Sequence, residues 1–178
     1  EGRGIAIRKV GGGYHAYVTG TTSSPGFGVP DNFPTTPGSF QPEFGGAADV
    51  FVIQFNDTGS ALVYSTYLGG NGLDEGYAIA VDAVGNAYLT GLTSAEPSTG
   101  SQFPISNAFQ STYGGEGGAA PAEANAFVTK LNPTGSALVY SSYMGGGGYG
   151  LSDAGIAIKV DGEGYAYLTG ITGTRPDI

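Results

Sequence analysis

Four oxygen-bearing side chains lie in two equivalent turns and have the chemistry of calcium ligands. Asp82 and Asn86 flank Gly85 in one turn, and Asp161 and Glu163 stand in the other. Carboxylate and amide oxygens bind Ca²⁺, so a calcium site is one interpretation of these turns. An EF-type loop needs about five or six such ligands in a short span, and neither turn supplies them alone. The alternative is that each Asp caps its own turn by accepting hydrogen bonds from backbone N–H groups.

The residues needed for familiar hydrolytic chemistry are scarce. His15 is the single histidine, so neither a two-histidine metal site nor a Ser-His-Asp relay can recur along the chain. Residues 150–154 approach the nucleophile-elbow pattern around Ser152. That pattern needs a final glycine and a following helix, whereas here the glycine is missing and a strand pattern follows. We therefore predict no catalytic residues and no enzyme.

Aromatic side chains offer a different chemistry, because their faces can stack on sugars. The chain has 12 tyrosines, and most of them fall in strand patterns where packing explains them. Tyr113 and Tyr149 fall in loops and are the two candidate ligand-binding residues, with a glycan as the ligand.

Charge and composition exclude several classes of partner. With 15 acidic and 6 basic residues the formal charge is −9, and no basic cluster interrupts it, so nucleic acid is a poor partner. No apolar run approaches the roughly 18 residues of a membrane helix, which argues against membrane insertion. Cysteine is absent, so there is no disulfide framework. The 34 glycines, interrupted by short apolar runs, predict many short strands joined by tight turns.

Three copies of one pattern organise the chain. VFVIQFNDTGSALVYSTYLGG at 50–70 returns as AFVTKLNPTGSALVYSSYMGG at 126–146. YAIAVDAVGNAYLTG at 77–91 returns as AGIAIKVDGEGYAYLTG at 154–170, and a partial copy, GIAIRKVGGGYHAYVTG, stands at 4–20. Long repeats of this kind indicate one supersecondary unit that recurs and stacks.

The apolar runs within each copy have strand length, about 5 to 8 residues, and none shows a helical period. We therefore predict an all-β chain built of four-stranded antiparallel units. The predicted strands are 4–7, 15–21, 49–55, 61–68, 77–82, 87–91, 126–131 and 137–144, with a last pair within 156–172.

Two long inserts separate these strands, and they share a spaced motif. FPTTPGSFQ at 33–41 corresponds to FPISNAFQ at 103–110. Apolar rings that recur in loops are typical of anchors, so we predict that the phenylalanines hold each insert onto the body of the protein. The alternative is a solvated linker.

At these residues the sequence resembles the bacterial β-propeller repeat family abbreviated SBBP and, more distantly, NHL-type repeats. The matching stretches are GYAIAVD at 76–82, GNAYLTG at 85–91, FP at 103–104, AFVTKLN at 126–132 and SALVYS at 136–141.

The resemblance implies propeller-type blades, with an inner strand at 79–81 and an outer strand at 138–143. This phasing gives about two and a half blades: 1–70, 71–146 and a half blade at 147–178. The first copy departs from the pattern, because Arg8 stands where the family has Asp and the Gly-Asn turn is replaced.

The resemblance implies a secreted or cell-surface location in bacteria but no single activity. From the repeat, the low charge, the acidic balance and the missing catalytic set, we expect a noncatalytic structural module of such a protein, acting in assembly or adhesion. A ligand-binding propeller for glycan or calcium is the alternative, and a scaffold within a larger enzyme is a weaker one. The chain begins and ends inside the repeat pattern, which we interpret as a mature product or a part of something longer.

The ends of the chain point to partners of the same kind. Ile5 and Ile7 at one end, and Ile156 and Ile158 at the other, are expected to need a neighbouring blade, and Ile171 has no third strand to cover it. We predict that further repeats or identical copies complete these ends, as a ring or an open filament.

Overall fold

The chain folds entirely as antiparallel β-sheet in the part described by a computed structural model, residues 1–24, 33–94, 102–114, 124–146 and 152–173. Two sheets have four strands each, in sequence order, and a third has two strands. No helix in these ranges is long and apolar enough to cross a membrane. The predicted all-β architecture of four-stranded units is confirmed.

The first sheet consists of β1 (Gly2–Val10), β2 (Gly13–Thr22), β3 (Asp49–Phe55) and β4 (Leu62–Leu68). The second consists of β5 (Asp74–Val81), β6 (Ala87–Thr93), β7 (Asn125–Leu131) and β8 (Leu138–Met144). The third is the hairpin of β9 (Ala154–Val160) and β10 (Ala166–Ile171). The first strand of each sheet, β1, β5 or β9, packs against the first strand of its neighbour, as the inner strands of propeller blades do.

Alternation along β5 decides which sheet each side chain faces. Ile79 joins the apolar cluster shared with Tyr17 and Val50 of the first sheet. Ala80 faces the opposite way and joins the cluster that contains Ile158 of β9. The large residue therefore fills the space toward the preceding sheet, and the small residue lets the following sheet come close.

The expectation that Ile158 needs a further blade is wrong. Ile158 is only 4% exposed, because it already packs against the second sheet. Ile156 is exposed, but it is the unpaired residue of a β-bulge: Gly155 pairs with Gly170 and Ala157 with Thr169. A bulge removes one residue from the strand alternation, so Ile156 and Ile158 do not share a face.

In the first two sheets, a threonine of the second strand bonds to the third strand of its own sheet and contacts a glycine of the next sheet. The Thr19 hydroxyl donates to the Phe51 carbonyl at 2.9 Å. The second sheet then places Gly76 on this threonine, where a Cβ would lie 2.6 Å from the Thr19 Oγ1. Thr90 and Gly155 repeat the contact one sheet further on, and a Cβ on Gly155 would overlap the Thr90 side chain. Only glycine permits this approach.

The inserts are held to the sheets by their first phenylalanines, as predicted. Phe33 packs on Phe51 and Tyr67, with ring centroids 5.0 and 5.3 Å away. Phe103 packs on Phe127 at 4.7 Å and is almost fully buried. The anchor prediction is confirmed for Phe33, Phe40 and Phe103, and it is wrong for Phe109, which is exposed.

A glutamine ends each insert motif and fixes it to the sheet edge. The Gln41 carbonyl accepts a hydrogen bond from the Tyr67 N–H at 3.0 Å, and its side-chain Oε1 accepts one from the Gly69 N–H at 3.0 Å. Gln110 accepts the matching bonds in the second sheet, from Tyr143 at 3.2 Å and Gly145 at 3.1 Å. Each insert thus has an apolar anchor and a polar one.

Candidate functional site

The Asp82 turn is a closed hydrogen-bonded cap between β5 and β6. One carboxylate oxygen, Oδ1, accepts from the backbone N–H groups of Val84, Gly85 and Asn86 at 2.8–3.0 Å. The other, Oδ2, accepts from the Asn86 side chain at 2.6 Å and from the Tyr88 hydroxyl at 3.0 Å. Partial burial opposes ionisation, but the hydrogen bonds from Asn86 and its neighbours outweigh it and lower the pKa of Asp82.

A cation flanks this turn from the same sheet. The Lys130 Nζ lies 3.8 Å from the Asp82 Oδ2 and 4.7 Å from the centre of the Tyr88 ring. The carboxylate is therefore satisfied by donors on both oxygens, and a calcium ion would have to compete with them.

The Asp161 turn between β9 and β10 repeats this cap with fewer partners. Its Oδ1 accepts from the backbone N–H groups of Glu163 and Tyr165 at 3.0 and 2.9 Å, and its Oδ2 accepts from the Tyr167 hydroxyl at 3.0 Å. The Tyr165 backbone bond is the main reason that the pKa of Asp161 is lowered. Glu163 contributes its backbone N–H to Asp161, and its side chain is exposed.

The four candidate calcium ligands thus lie in two separate turns, as the repeat predicts. Across the described ranges no group of three or more His, Cys, Asp or Glu side chains is close enough to hold a metal. Calcium binding at Asp82, Asn86, Asp161 and Glu163 stays a prediction.

The first copy replaces the Asp cap by a different device. Gly11 adopts a positive φ of 58°, so β1 and β2 join through a tight two-residue turn that needs no side-chain cap. Arg8, free of that task, reaches the second sheet and donates from its Nε to the Ala83 carbonyl at 3.0 Å. The arginine that departs from the family pattern therefore makes a contact between the first and second sheets.

The two candidate glycan-binding tyrosines have different positions. Tyr113 is half-buried and packs edge-on against Tyr143, with ring centroids 5.5 Å apart. Tyr149 lies outside the described residues. The single histidine, His15, is half-buried in β2, with its Nδ1 2.7 Å from the Gln54 side-chain nitrogen.

The sequence did not identify a pair of buried carboxylates, Asp49 and Asp74, where the first and second sheets meet. Both side chains are fully buried. Asp49 accepts from the Gln41 side chain at 3.0 Å, and Asp74 accepts from the Gly70 N–H at 2.7 Å. A Cβ built on Gly69 would lie 2.7 Å from both the Asp49 Oδ1 and the Asp74 Oδ2, so these two oxygens are no farther apart than twice that distance.

Burial strongly favours the protonated forms of this pair. It raises the pKa of Asp49 to about 6, against hydrogen bonds from Gly45 and Gln41 that lower it. Burial, together with a smaller contribution from the charge of Asp49, raises the pKa of Asp74 to about 7, against hydrogen bonds from Thr93 and Gly70 that lower it. These residues are 25 positions apart in the sequence, and no local motif announces that they meet.

An open cleft is the second feature that single residues did not reveal. It has a volume of about 520 Å³ and lies between the outer strands of the second sheet and β10. Its lining is mainly apolar and includes Val128, Phe109, Tyr140, Tyr165, Ala166 and Leu168. We call this feature the open cleft.

Residues 63–97 match the family model described as SBBP, a beta-propeller repeat. This stretch covers β4, β5 and β6, and so spans the junction between the first and second sheets. The resemblance found in the sequence is confirmed for this stretch by the match to the repeat model. No curated protein matches the chain significantly.

Proposed function

We propose that this chain is a noncatalytic structural module of a secreted or cell-surface bacterial protein, and that it acts in assembly through the end faces of its sheets. The observation that carries the proposal is, among the described residues, an uncovered apolar face at one end of the stack and an uncovered strand edge at the other. Inside the stack, the equivalent faces are covered by the next sheet.

At the first end, β1 exposes two large apolar side chains on one face. Ile5 is 69% exposed and Ile7 is 65% exposed. The matching residues of β5 are Ile79 and Val81, which pack against the first sheet. Ile5 and Ile7 are therefore apolar residues of the kind that pack between two sheets, but no sheet in the described part of the chain covers them, which favours association with another repeat.

At the other end, the third sheet has two strands in the part of the chain that the structure describes. Ile171 is 62% exposed on β10, and its outer edge has no strand beside it there. An uncovered edge without charged residues favours pairing with another strand.

Light scattering combined with chromatography, and electron microscopy, test this proposal on the 178-residue chain. We expect oligomers whose size rises with concentration. Replacing Ile5 and Ile7 by Lys should weaken association, whereas Val84→Lys, on an exposed turn away from these faces, should leave it unchanged. A compact, cooperatively folded monomer at micromolar concentration would overturn the proposal.

Glycan or calcium binding by the inserts and turns is the alternative that the sequence leaves open. Tyr113 already uses one ring edge for packing on Tyr143, which leaves less of it for a sugar. For this reason assembly is the function that we favour.

A further inference from the structure

The open cleft has a covered counterpart one sheet earlier, and the two are built alike. In the first sheet, Tyr17 meets Tyr64 edge-on with ring centroids 6.4 Å apart and an interplanar angle of 69°. In the second, the matching residues Tyr88 and Tyr140 meet at 6.4 Å and 67°. Tyr140, which lines the open cleft, therefore already meets its neighbouring ring in the geometry that Tyr64 has at the covered position.

The turn between β7 and β8 is what covers the counterpart. Gly135, with a φ of +65°, lies flat on the Tyr64 ring, and a Cβ at this position would overlap that ring. Its carbonyl accepts a hydrogen bond from the Phe40 N–H at 2.8 Å. The matching glycine of the first sheet, Gly59, has a similar φ and no atom near its Cβ position. The close contact at Gly135 therefore comes from the packing of one sheet on the next and not from the turn itself.

The same residues are uncovered around the open cleft. Phe109 corresponds to Phe40 by position in the insert motif, yet it is 72% exposed, whereas Phe40 packs on the core. In β10, Ala166 and Leu168 are only half-buried. Their counterparts in β6, Ala87 and Leu89, are fully buried in the core cluster that the first and second sheets share.

The edge of β10 also carries an unused bonding group. Thr19 and Thr90 each donate a hydroxyl hydrogen bond to a carbonyl of the third strand in their sheets. Thr169 occupies the same position on β10 and is exposed. An incoming third strand would supply the missing carbonyl.

We propose that the open cleft and the outer edge of β10 together form an acceptor site for a strand pair that repeats the pattern of β7 and β8. The third strand of this pair would add to β10 through main-chain hydrogen bonds and would receive the Thr169 hydroxyl. Its turn would place a glycine on the Tyr140 ring, and that glycine's carbonyl would accept from the Phe109 N–H. This proposal rests on the assembly function and adds to it the kind of partner and the site where that partner binds.

The occupant is a strand pair from another repeat and not an intact second copy of this chain. The two such pairs in the described part of this chain, β3 with β4 and β7 with β8, are already bonded to β2 and β6. Donating one of them would open a complete sheet. The partner is identified by the likeness of the two positions, because the β7–β8 turn covers the first of them.

A synthetic peptide that copies residues 124–146 tests the site on the intact 178-residue chain. We expect saturable one-to-one binding in calorimetry and a higher melting temperature, since the peptide binds only the folded protein. A second peptide carrying Gly135→Val is the matched control, because its Cβ would collide with the tyrosine ring. It should bind at least about tenfold more weakly, the loss expected when packing at one anchor fails.

Variants of the acceptor complete the experiment. Phe109→Ala and Thr169→Val change exposed side chains, so they should keep the fold and weaken peptide binding several-fold. Equal binding of the two peptides, or no binding of the first one, overturns the proposal. So does a cross-link from Tyr165 that shows the cleft buried against an intact second copy.

The outcomes also separate this proposal from the assembly function on which it rests. Oligomers without peptide binding would refute the acceptor site and leave assembly intact. Peptide binding by a strictly monomeric chain would support the acceptor site and refute assembly from identical copies.

Discussion

The buried pair of Asp49 and Asp74 should make the stability of this protein fall as the pH rises from about 4 to about 7. The pKa values of the folded protein are raised to about 6 and about 7, so the folded state binds these protons more tightly than the unfolded chain does. Stability from this pair is therefore fully present below the unfolded pKa, near 3.8, and is lost as the pH passes the folded values.

The magnitude follows from Asp74, because its pKa is raised further than that of Asp49. A change from 3.8 to about 7 corresponds to about 4 kcal/mol of free energy of unfolding lost by pH 8. No lysine or arginine is among the groups that shift either pKa. The charge of Asp49 raises the pKa of Tyr67, and the charge of Asp74 raises the pKa of Tyr143. Hydrogen bonds from Gly45 and Gln41 to Asp49, and from Gly70 to Asp74, offset only part of the cost of charging both groups.

Asp49→Asn is the informative substitution, because the equivalent residue in the second sheet is already an asparagine. Asn125 begins β7 as Asp49 begins β3, and the paired residues are Thr93 and Thr22. The variant should be more stable than the wild type at pH 8, by about 1–3 kcal/mol, once the repulsion from Asp74 is gone. At pH 4 the two proteins should be nearly equal.

Thermal and urea unfolding followed by circular dichroism at pH 4, 6 and 8 measure this effect. Each kcal/mol should move the melting temperature by about 2–4 °C in a chain of this length. Glu43→Gln, on an exposed residue, controls for the loss of one negative charge. If Asp49→Asn leaves the pH dependence as steep as in the wild type, the assignment to this pair is refuted.

Three further predictions concern the turns and the junction. Asp82→Ala should cost about 2 kcal/mol, because it leaves several backbone N–H groups without an acceptor, and Asp161→Ala should cost less, since that turn is exposed; urea unfolding compares the two. Removing calcium with a chelator should leave the melting temperature unchanged, since donors already fill the Asp82 carboxylate, and a clear drop would establish a bound cation. Gly76→Ala should cost about 1–3 kcal/mol, because its Cβ would press on Thr19, whereas Gly12→Ala, with open space around it, should be almost neutral in the same melts.

The strands were predictable because each lies between strong turn signals. Asn132-Pro133-Thr134-Gly135 and its earlier copy mark the same turn twice, and both glycines take a positive φ. The Asp82 cap followed from the same reasoning, since Asp commonly accepts backbone N–H groups of its own turn.

The features that were missed depend on how strands lie across from one another. The bulge at Ile156 changes the alternation of β9, and its presence follows from the pairing of Gly155 with Gly170, which the sequence does not state. Asp49 and Asp74 meet only because two sheets pack together. Arg8 looked like a lost cap, although its partner is the Ala83 carbonyl of another sheet.

The polar anchors of the inserts have a consequence for how this protein tolerates changes in length. Seven residues, 42–48, connect Gln41 to β3, whereas 14 residues, 111–124, connect Gln110 to β7. Doubling the length of a loop generally costs only about 0.6 kcal/mol in closure entropy, so a longer connection at this point carries a small penalty. The length of the connection between the glutamine and the third strand therefore differs between the two repeats while the strand order of the two sheets stays the same.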